Sequence, residues 1–564
     1  MNGINKNIFI KFLKSLIPVA IKQKIKKLKW VNRFYKSNDY DFAQYKLAGG
    51  YPCEIPPLDV EPNLDFLVLE LPPRYMPFMP NGLGYLYNIL LKCNINFQIL
   101  DVNISLYHKY HENRLRNNLK NISTPNGYVL PRDPWDNTNT NEWVKDDLVD
   151  YFWPDIEPLI EKIKVNPPKA LGISLSGFNR KLAKRFIKSV KEKNPEIIII
   201  VGGYDCTYKD LGSVLFPDFD YMVIGEAEVT LKPLMDAVFL KGETVKDLPG
   251  IISRFDTTDR VWTAPVLEDI DEIDWPKYQW AKHYWYQTYD RRHLIPITGS
   301  RGCKWGRCRF CAERFYFRRR DPVRVVDEME HFTKLGFHTF HFNESDVNGD
   351  PQNLYDICSG IIERNLKVNL VGQLRIDRRN TAEYLGHLAM AGFKHLRFGV
   401  DGWNDRLLVL MRKGYNMNLA FQNLQDCHGA GIVTTVNMVI GIPGETEEDI
   451  DECIANFIKC KAFIHSVESF NTLLLACGSE YYHNPEQYKI KFRWHKDDIY
   501  KRYADYIPTA LWYSEDPYID QEVRLNRLDK ILDKLYLNGV NIGPFATKVI
   551  ERLKNRAPEA DFRP

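Results

Sequence analysis

No uninterrupted apolar stretch in the 564 residues approaches the roughly 18–20 needed to cross a bilayer. No N-terminal segment carries a secretory cleavage pattern, so the cytoplasm is the expected compartment. Cysteine is scarce and odd in number, at eleven, which excludes a disulfide scaffold and leaves reduced thiols or metal ligation. Net charge is also small, at +3. Acidic residues are missing altogether from Met1 to Lys36, where ten Lys or Arg occur, so the rest of the chain carries about −7. That balance excludes the broad basic surface that nucleic acid demands, and Arg318-Arg-Arg320 is too short to supply one.

What is present is an ordinary globular composition, 44% hydrophobic and 26% charged, on a chain long enough for two or three domains. In the basic stretch, Ile8, Phe12, Leu13, Leu16, Ile17, Ile21, Ile25 and Leu28 interleave with lysines at helical spacing, and Pro18 divides the run. Such a helix lies either on an anionic membrane surface or against the body of its own protein.

From Leu64 to Leu240, apolar strands alternate with helices, which predicts a doubly wound α/β sheet. Strands are read at Phe66–Leu71, Phe97–Leu100, Ala170–Leu175, Ile197–Val201 and Tyr221–Ile224. Ligands of such sheets bind beyond the carboxyl ends of the strands, where Ser174, Ser176, Gly177, Gly202, Gly203, Gly225 and Glu226 fall. Alternation resumes from Leu294 to Ile440 and predicts a full or partial βα barrel, with its reactive groups at the carboxyl ends of its strands. The expected division is an extension at 1–61, the sheet domain at 62–246, a linker at 247–290, the barrel at 291–465 and a helical capping region at 466–564. In that last region Trp494, Tyr500, Tyr503, Tyr506, Trp512 and Tyr513 either line a pocket or form plain core.

Gly299-Ser-Arg-Gly-Cys303-Lys-Trp-Gly-Arg-Cys308-Arg-Phe-Cys311 places three thiols on the loop after the first barrel strand. A fourth cysteine is missing from it. Three thiolates hold three irons of a cubane and leave the fourth iron open, whereas electron-transfer clusters take four cysteines. A zinc knuckle needs a fourth ligand, and no histidine lies between His293 and His331 to give one locally.

These residues resemble the radical S-adenosylmethionine enzymes, and among them those preceded by a cobalamin-binding-type domain. The likeness covers roughly Leu64 to Lys489. It includes the cysteine loop, Arg320-Asp-Pro322 ahead of Glu328, Asn343-Glu-Ser-Asp346, Arg375, Gly399-Val-Asp401, Lys413 and Gly441-Ile-Pro-Gly-Glu-Thr446. In the first domain it rests on Pro80-Asn-Gly-Leu-Gly84, Val201-Gly-Gly203 and Ile224-Gly-Glu-Ala-Glu228. The family implies a [4Fe-4S] cluster on Cys303, Cys308 and Cys311, chelated by S-adenosylmethionine, which is cleaved to a 5′-deoxyadenosyl radical. By matching position, the resemblance puts Phe310 against the adenine, Asn343 and Glu344 near the methionine amine, Arg375 and Asp401 near carboxylate or ribose, and Gly441, Ile442 and Pro443 near adenine. Two features depart from the family pattern: the cysteine spacing is four then two rather than three then two, and Asp401-Gly402 stands where Glu-Ser is common. A bulge at Trp305-Gly306 accommodates the first.

The first domain has no Asp-x-His-x-x-Gly stretch, so the resemblance implies either cobalamin without a protein histidine on cobalt, held at the seven sheet-edge residues, or a sheet kept as scaffold. The implied activity is cobalamin-dependent methylation of an unactivated carbon in a small-molecule or lipid-linked substrate, with an electron donor such as flavodoxin or ferredoxin. The alternatives are a radical oxidation, cyclisation or rearrangement without methyl transfer, and a metal-stabilised adaptor. A methylthiolating transfer-RNA enzyme is disfavoured, because Cys53, Cys93 and Cys206 do not make a second cluster set.

Overall fold

Leu67, Val68 and Leu69 are apolar on both sides of their strand, which suits a strand covered on both faces. In the computed structural model they belong to β1 (Phe66–Glu70), inside a sheet completed by β2 (Phe97–Asp101), β3 (Ala170–Ser174), β4 (Ile198–Gly202), β5 (Tyr221–Val223) and β6 (Ile251–Ser253). The structure describes residues 51–556 apart from 52, 120, 137–138, 207–217, 243, 247, 257–264, 314 and 503–505. The basic stretch Met1 to Lys36 lies outside the described residues.

The order in the sheet is β2-β1-β3-β4-β5-β6, parallel except for β6. The chain leaves β1 to one side for β2 and returns on the other side for β3, so the order reverses at β1 and a crevice opens between the carboxyl ends of β1 and β3. Asp101 ends β2 and starts helix Val102–Arg116 by accepting from the Ile104 amide at 3.0 Å. The expected linker begins inside this sheet, since β6 is its sixth strand. The segment leading on toward the barrel is packed rather than loose: Asn88 donates to the carbonyls of Asp274 and Trp275 at 3.1 and 2.8 Å.

The second sheet starts with β7 (Ile295–Ile297), followed by a small antiparallel pair, β8 (Ser300–Arg301) and β9 (Arg318–Arg319). Then come β10 (Thr339–Phe342), β11 (Asn369–Leu374), β12 (Phe393–Asp401), β13 (Val433–Ile440) and β14 (Ser466–Thr472). The order is β14-β13-β12-β11-β10-β7, all parallel, with helices between successive strands: a partial barrel. Its last strand lies beyond the boundary expected at 465. The sequence Ser-Val-Glu-Ser-Phe-Asn-Thr buries Val467 and Phe470 but alternates them with polar residues, so it lacks the apolar run by which parallel strands are read.

Helices Gln521–Leu537 and Ala546–Arg556 form the C-terminal region, joined by a three-stranded antiparallel sheet at Ile490–Phe492, Trp512–Glu515 and Tyr518–Ile519. Trp512 is wholly buried with the Arg524 guanidinium 3.6 Å from its ring centre, whereas Trp494 and Tyr506 are exposed. Tyr503 lies outside the described residues. Among the described residues no helix is long and apolar enough to cross a membrane.

Candidate functional site

The cysteine loop leaves the end of β7 and is closed at its base by the β8–β9 pair. Gly302 makes that closure possible: its φ is +82°, and a Cβ there would stand 2.5 Å from the carbonyl oxygens of Phe315 and Tyr316. The far side of the loop is clamped to residues 410–414. The Trp305 indole donates to the Arg412 carbonyl at 2.9 Å, the Arg309 amide to Met411 at 3.1 Å, and the Arg309 guanidinium to Leu410 at 2.9 Å. Gly414 leaves room for the indole, since a Cβ there would meet Trp305 at 2.3 Å. Gly306 has φ +54°, a left-handed turn between Cys303 and Cys308.

Around the thiols stand Lys413, Asp401, Arg375 and Phe310. Lys413 Nζ donates to Asp401 Oδ2 at 2.5 Å and to the Gly399 carbonyl at 2.8 Å, and both side chains are buried. Burial pushes the Cys308 thiol up, while Lys413 and Arg375 pull it toward the thiolate. Burial likewise pushes Cys311 up to about 12, against the Glu313 amide, which donates to its sulfur at 3.3 Å. The Arg375 guanidinium lies 4.2 Å from the Trp305 ring centre and donates to the Lys413 carbonyl. Among the described residues no three ligand side chains are drawn together as a finished metal group. The donor set nonetheless suits a thiolate-bound cluster, with three soft ligands on one loop and cations facing them.

Three cavities share Asn343 as a lining residue. The largest, about 620 Å³, opens over the carboxyl edge of the first sheet and is lined by Ser174, Gly202, Gly203, Gly225 and Glu226, five of the seven residues expected there. Ser176 and Gly177 do not line it; the Ser176 amide instead donates to the Asn179 side chain at 2.8 Å within the turn that starts helix Arg180–Lys193. Gly203 has φ +100° and lies so near Leu175 that a Cβ would meet its carbonyl oxygen at 2.8 Å. A second cavity of about 350 Å³ is lined by Ser300, Gly302, Glu313, Asn343 and Glu344. A third, of about 380 Å³, lies in the barrel lumen among His341, Asn343, Gln373, His395, Arg397 and Glu468, under Tyr75 and Phe78 of the first domain.

Glu344 accepts from the Gly299 amide and, at 2.7 Å, from Ser300. Its other oxygen is buried without a partner among the described residues, and burial pushes the carboxyl up to about 7 against those amides. An ammonium group in the second cavity would satisfy that oxygen. Phe310, Arg375 and Asp401 are gathered at the cysteine loop instead, and Asp401 already holds Lys413. Gly441, Ile442 and Pro443 line none of the three cavities. They are buried; the Gly441 carbonyl accepts from Arg524 at 3.1 Å, and its amide donates to Glu445 at 2.9 Å. Glu445 in turn pairs with Arg527 at 3.0 Å.

Several cavity residues carry no signal in the sequence pattern, chief among them Glu70, Arg74, Tyr75, Phe78 and Arg301. Arg301 and Arg318 tie the two domains together. Arg318 reaches Glu226 at 2.6 Å and Arg301 reaches Glu228 at 2.7 Å, from either strand of the pair at the base of the cysteine loop.

Comparison with known proteins agrees with this anatomy. Residues 297–456 match the model of the radical SAM superfamily, and residues 142–234 match that of the B12 binding domain. A relative, the anaerobic magnesium-protoporphyrin IX monomethyl ester cyclase of Rubrivivax gelatinosus, is 29% identical over 52% of this chain and 54% of its own length. The chain spans about half the length of the curated relatives it matches first. The fold resembles that of OxsB, a cobalamin-dependent S-adenosylmethionine radical enzyme (TM-score 0.61, 13% identity, 87% of this chain and 71% of that one). It also resembles TsrM from Kitasatospora setae, a radical S-adenosylmethionine methyltransferase solved with cobalamin and a [4Fe-4S] cluster (TM-score 0.56, 16% identity, 76% and 81%). The chain thus carries a segment that matches the B12 binding domain and, after it, one that matches the radical SAM superfamily.

Proposed function

We propose that the protein is a cobalamin-dependent radical S-adenosylmethionine methylase acting on an unactivated carbon of a small molecule. The observation that carries this reading is the position of Asn343, which lines all three cavities. A substrate in the lumen, beside Asn343, borders both cofactor spaces. When bound, the cluster and S-adenosylmethionine supply a carbon-centred radical and the corrinoid supplies a methyl group. Cys303, Cys308 and Cys311 hold the cluster, and Glu344 with Asn343 takes the methionine amine. Ser174, Gly202, Gly203, Gly225 and Glu226 cradle the corrinoid. Tyr75 and Phe78 close the lumen against water, while His341, Gln373, His395 and Arg397 offer hydrogen bonds to the substrate. A small electron carrier such as flavodoxin or ferredoxin supplies the electron.

The test is anaerobic reconstitution, then turnover with methyl-labelled S-adenosylmethionine and candidate small molecules. Label in the product supports methylation; consumption of cofactor with an unlabelled, cyclised or oxidised product supports the second reading, which the cyclase relative favours. Substituting Ala for any of Cys303, Cys308 or Cys311 abolishes iron content and turnover together. The lysine-edged segment before residue 51 supports peripheral contact with anionic lipid. Salt-sensitive binding to anionic vesicles, lost when residues 1–36 are removed, checks that; equal binding by the shortened chain refutes it.

A further inference from the structure

None of the side chains lining the largest cavity is a histidine or a cysteine. The ionisable residue at its floor is Glu70, the last residue of β1, placed at the β1/β3 crevice where the strand order reverses. Ser174, at the end of β3, lies beside it and favours its ionised form. The other charged groups around it are engaged elsewhere. Arg74, on the loop after β1, pairs with Asp101 at the end of β2 at 3.1 Å and donates to the Phe78 carbonyl at 2.5 Å. Across the cavity, Glu226 and Glu228 are held by Arg318 and Arg301. The edge of β4 presents the uncharged Gly202 and Gly203. Glu70 itself makes no ion pair among the described residues, and a half-buried carboxyl in a largely apolar cavity favours its protonated form over an uncompensated charge.

On the reading that a corrinoid occupies this cavity, we propose that Glu70 governs ligation at the face of the corrinoid metal turned toward the sheet. While it keeps its proton, Glu70 is a hydrogen-bond donor and leaves the metal without a protein ligand. When it ionises, the proton passes to solvent and a carboxylate oxygen gains the free electron pair needed to approach the metal. Burial is the dominant influence and pushes the Glu70 carboxyl up to about 8, despite the opposing charge of Arg74.

The experiment uses the full chain loaded with methylcobalamin, whose carbon-filled upper position does not titrate, and tracks corrinoid absorbance from pH 6 to 10. Wild type gives a one-proton transition within that range; Glu70→Gln binds the same amount of corrinoid and gives none. Ser174→Ala serves as a second variant: loss of a hydroxyl that favours the carboxylate moves the transition upward. The cob(II)alamin form of wild type at pH 6.5 shows no nitrogen splitting in its electron resonance spectrum. A transition retained at the same pH in Glu70→Gln, or unmoved in Ser174→Ala, overturns the role of Glu70 alone. Failure of wild type to bind any corrinoid overturns it together with the reading on which it rests.

Discussion

The Lys413–Asp401 pair offers the sharpest test of how the cysteine loop is supported. Both side chains are buried, at 5% and 7% exposure, and their contact is 2.5 Å. Removing one partner of such a pair costs about 3–5 kcal/mol, because the survivor is left charged and desolvated, while replacing both is often near neutral. Asp401→Ala and Lys413→Met should therefore each lower the denaturant midpoint of the metal-free chain, and the double variant should fall short of the summed loss, about 6–10 kcal/mol, by at least about 3 kcal/mol. The thiols add a second readout with opposite signs. Lys413 pulls Cys308 toward the thiolate and Asp401 pushes it away. Alkylation of Cys308 by iodoacetamide should slow in Lys413→Met and quicken in Asp401→Ala. Additive single losses, or alkylation rates that shift in the same direction, would refute the reasoning.

The geometry sets two further outcomes. At Gly202 an added Cβ meets nothing closer than Val223 at 3.7 Å, so Gly202→Leu should fold, fill the cavity floor and abolish corrinoid binding while iron content stays at the wild-type level; unchanged binding in a titration would be the contrary result. Glu344, pushed up to about 7, holds its proton more tightly folded than unfolded, so it lowers stability as pH rises from about 4.5 to 7. The difference in denaturant midpoint between pH 5 and pH 8 should narrow in Glu344→Gln, and an unchanged difference would count against the burial argument.

Much of this architecture was legible in the residues. Most strands of the two sheets, β14 apart, announced themselves as apolar runs, and Cys303, Cys308 and Cys311 did so because three cysteines at such short spacing are rare. β14 was not legible, since a strand that turns Glu468 into a polar lumen loses its apolar run. Glu70 was hidden for a related reason: its character comes from the enclosure at a crevice, which depends on strand order and not on its neighbours in the chain. Ser176 and Gly177 sat beside the right edge, but a turn had already claimed them. Nothing local to Gly441 foretold that Arg524, eighty-three positions further on, packs over it and donates to its carbonyl.

The ion pairs from Arg301 and Arg318 to Glu228 and Glu226 have a consequence for how such a molecule can be rebuilt. The strap that closes the cysteine loop is fastened to the rim of the 620 Å³ cavity of the first domain, so the two halves behave as a matched lock and key and not as interchangeable modules. A barrel expressed alone would present two guanidinium groups without their carboxylates at the root of its cysteine loop, and a foreign first domain would leave them so unless it brought carboxylates to the same two places. Any chimera of this chain has to move that seam as one piece.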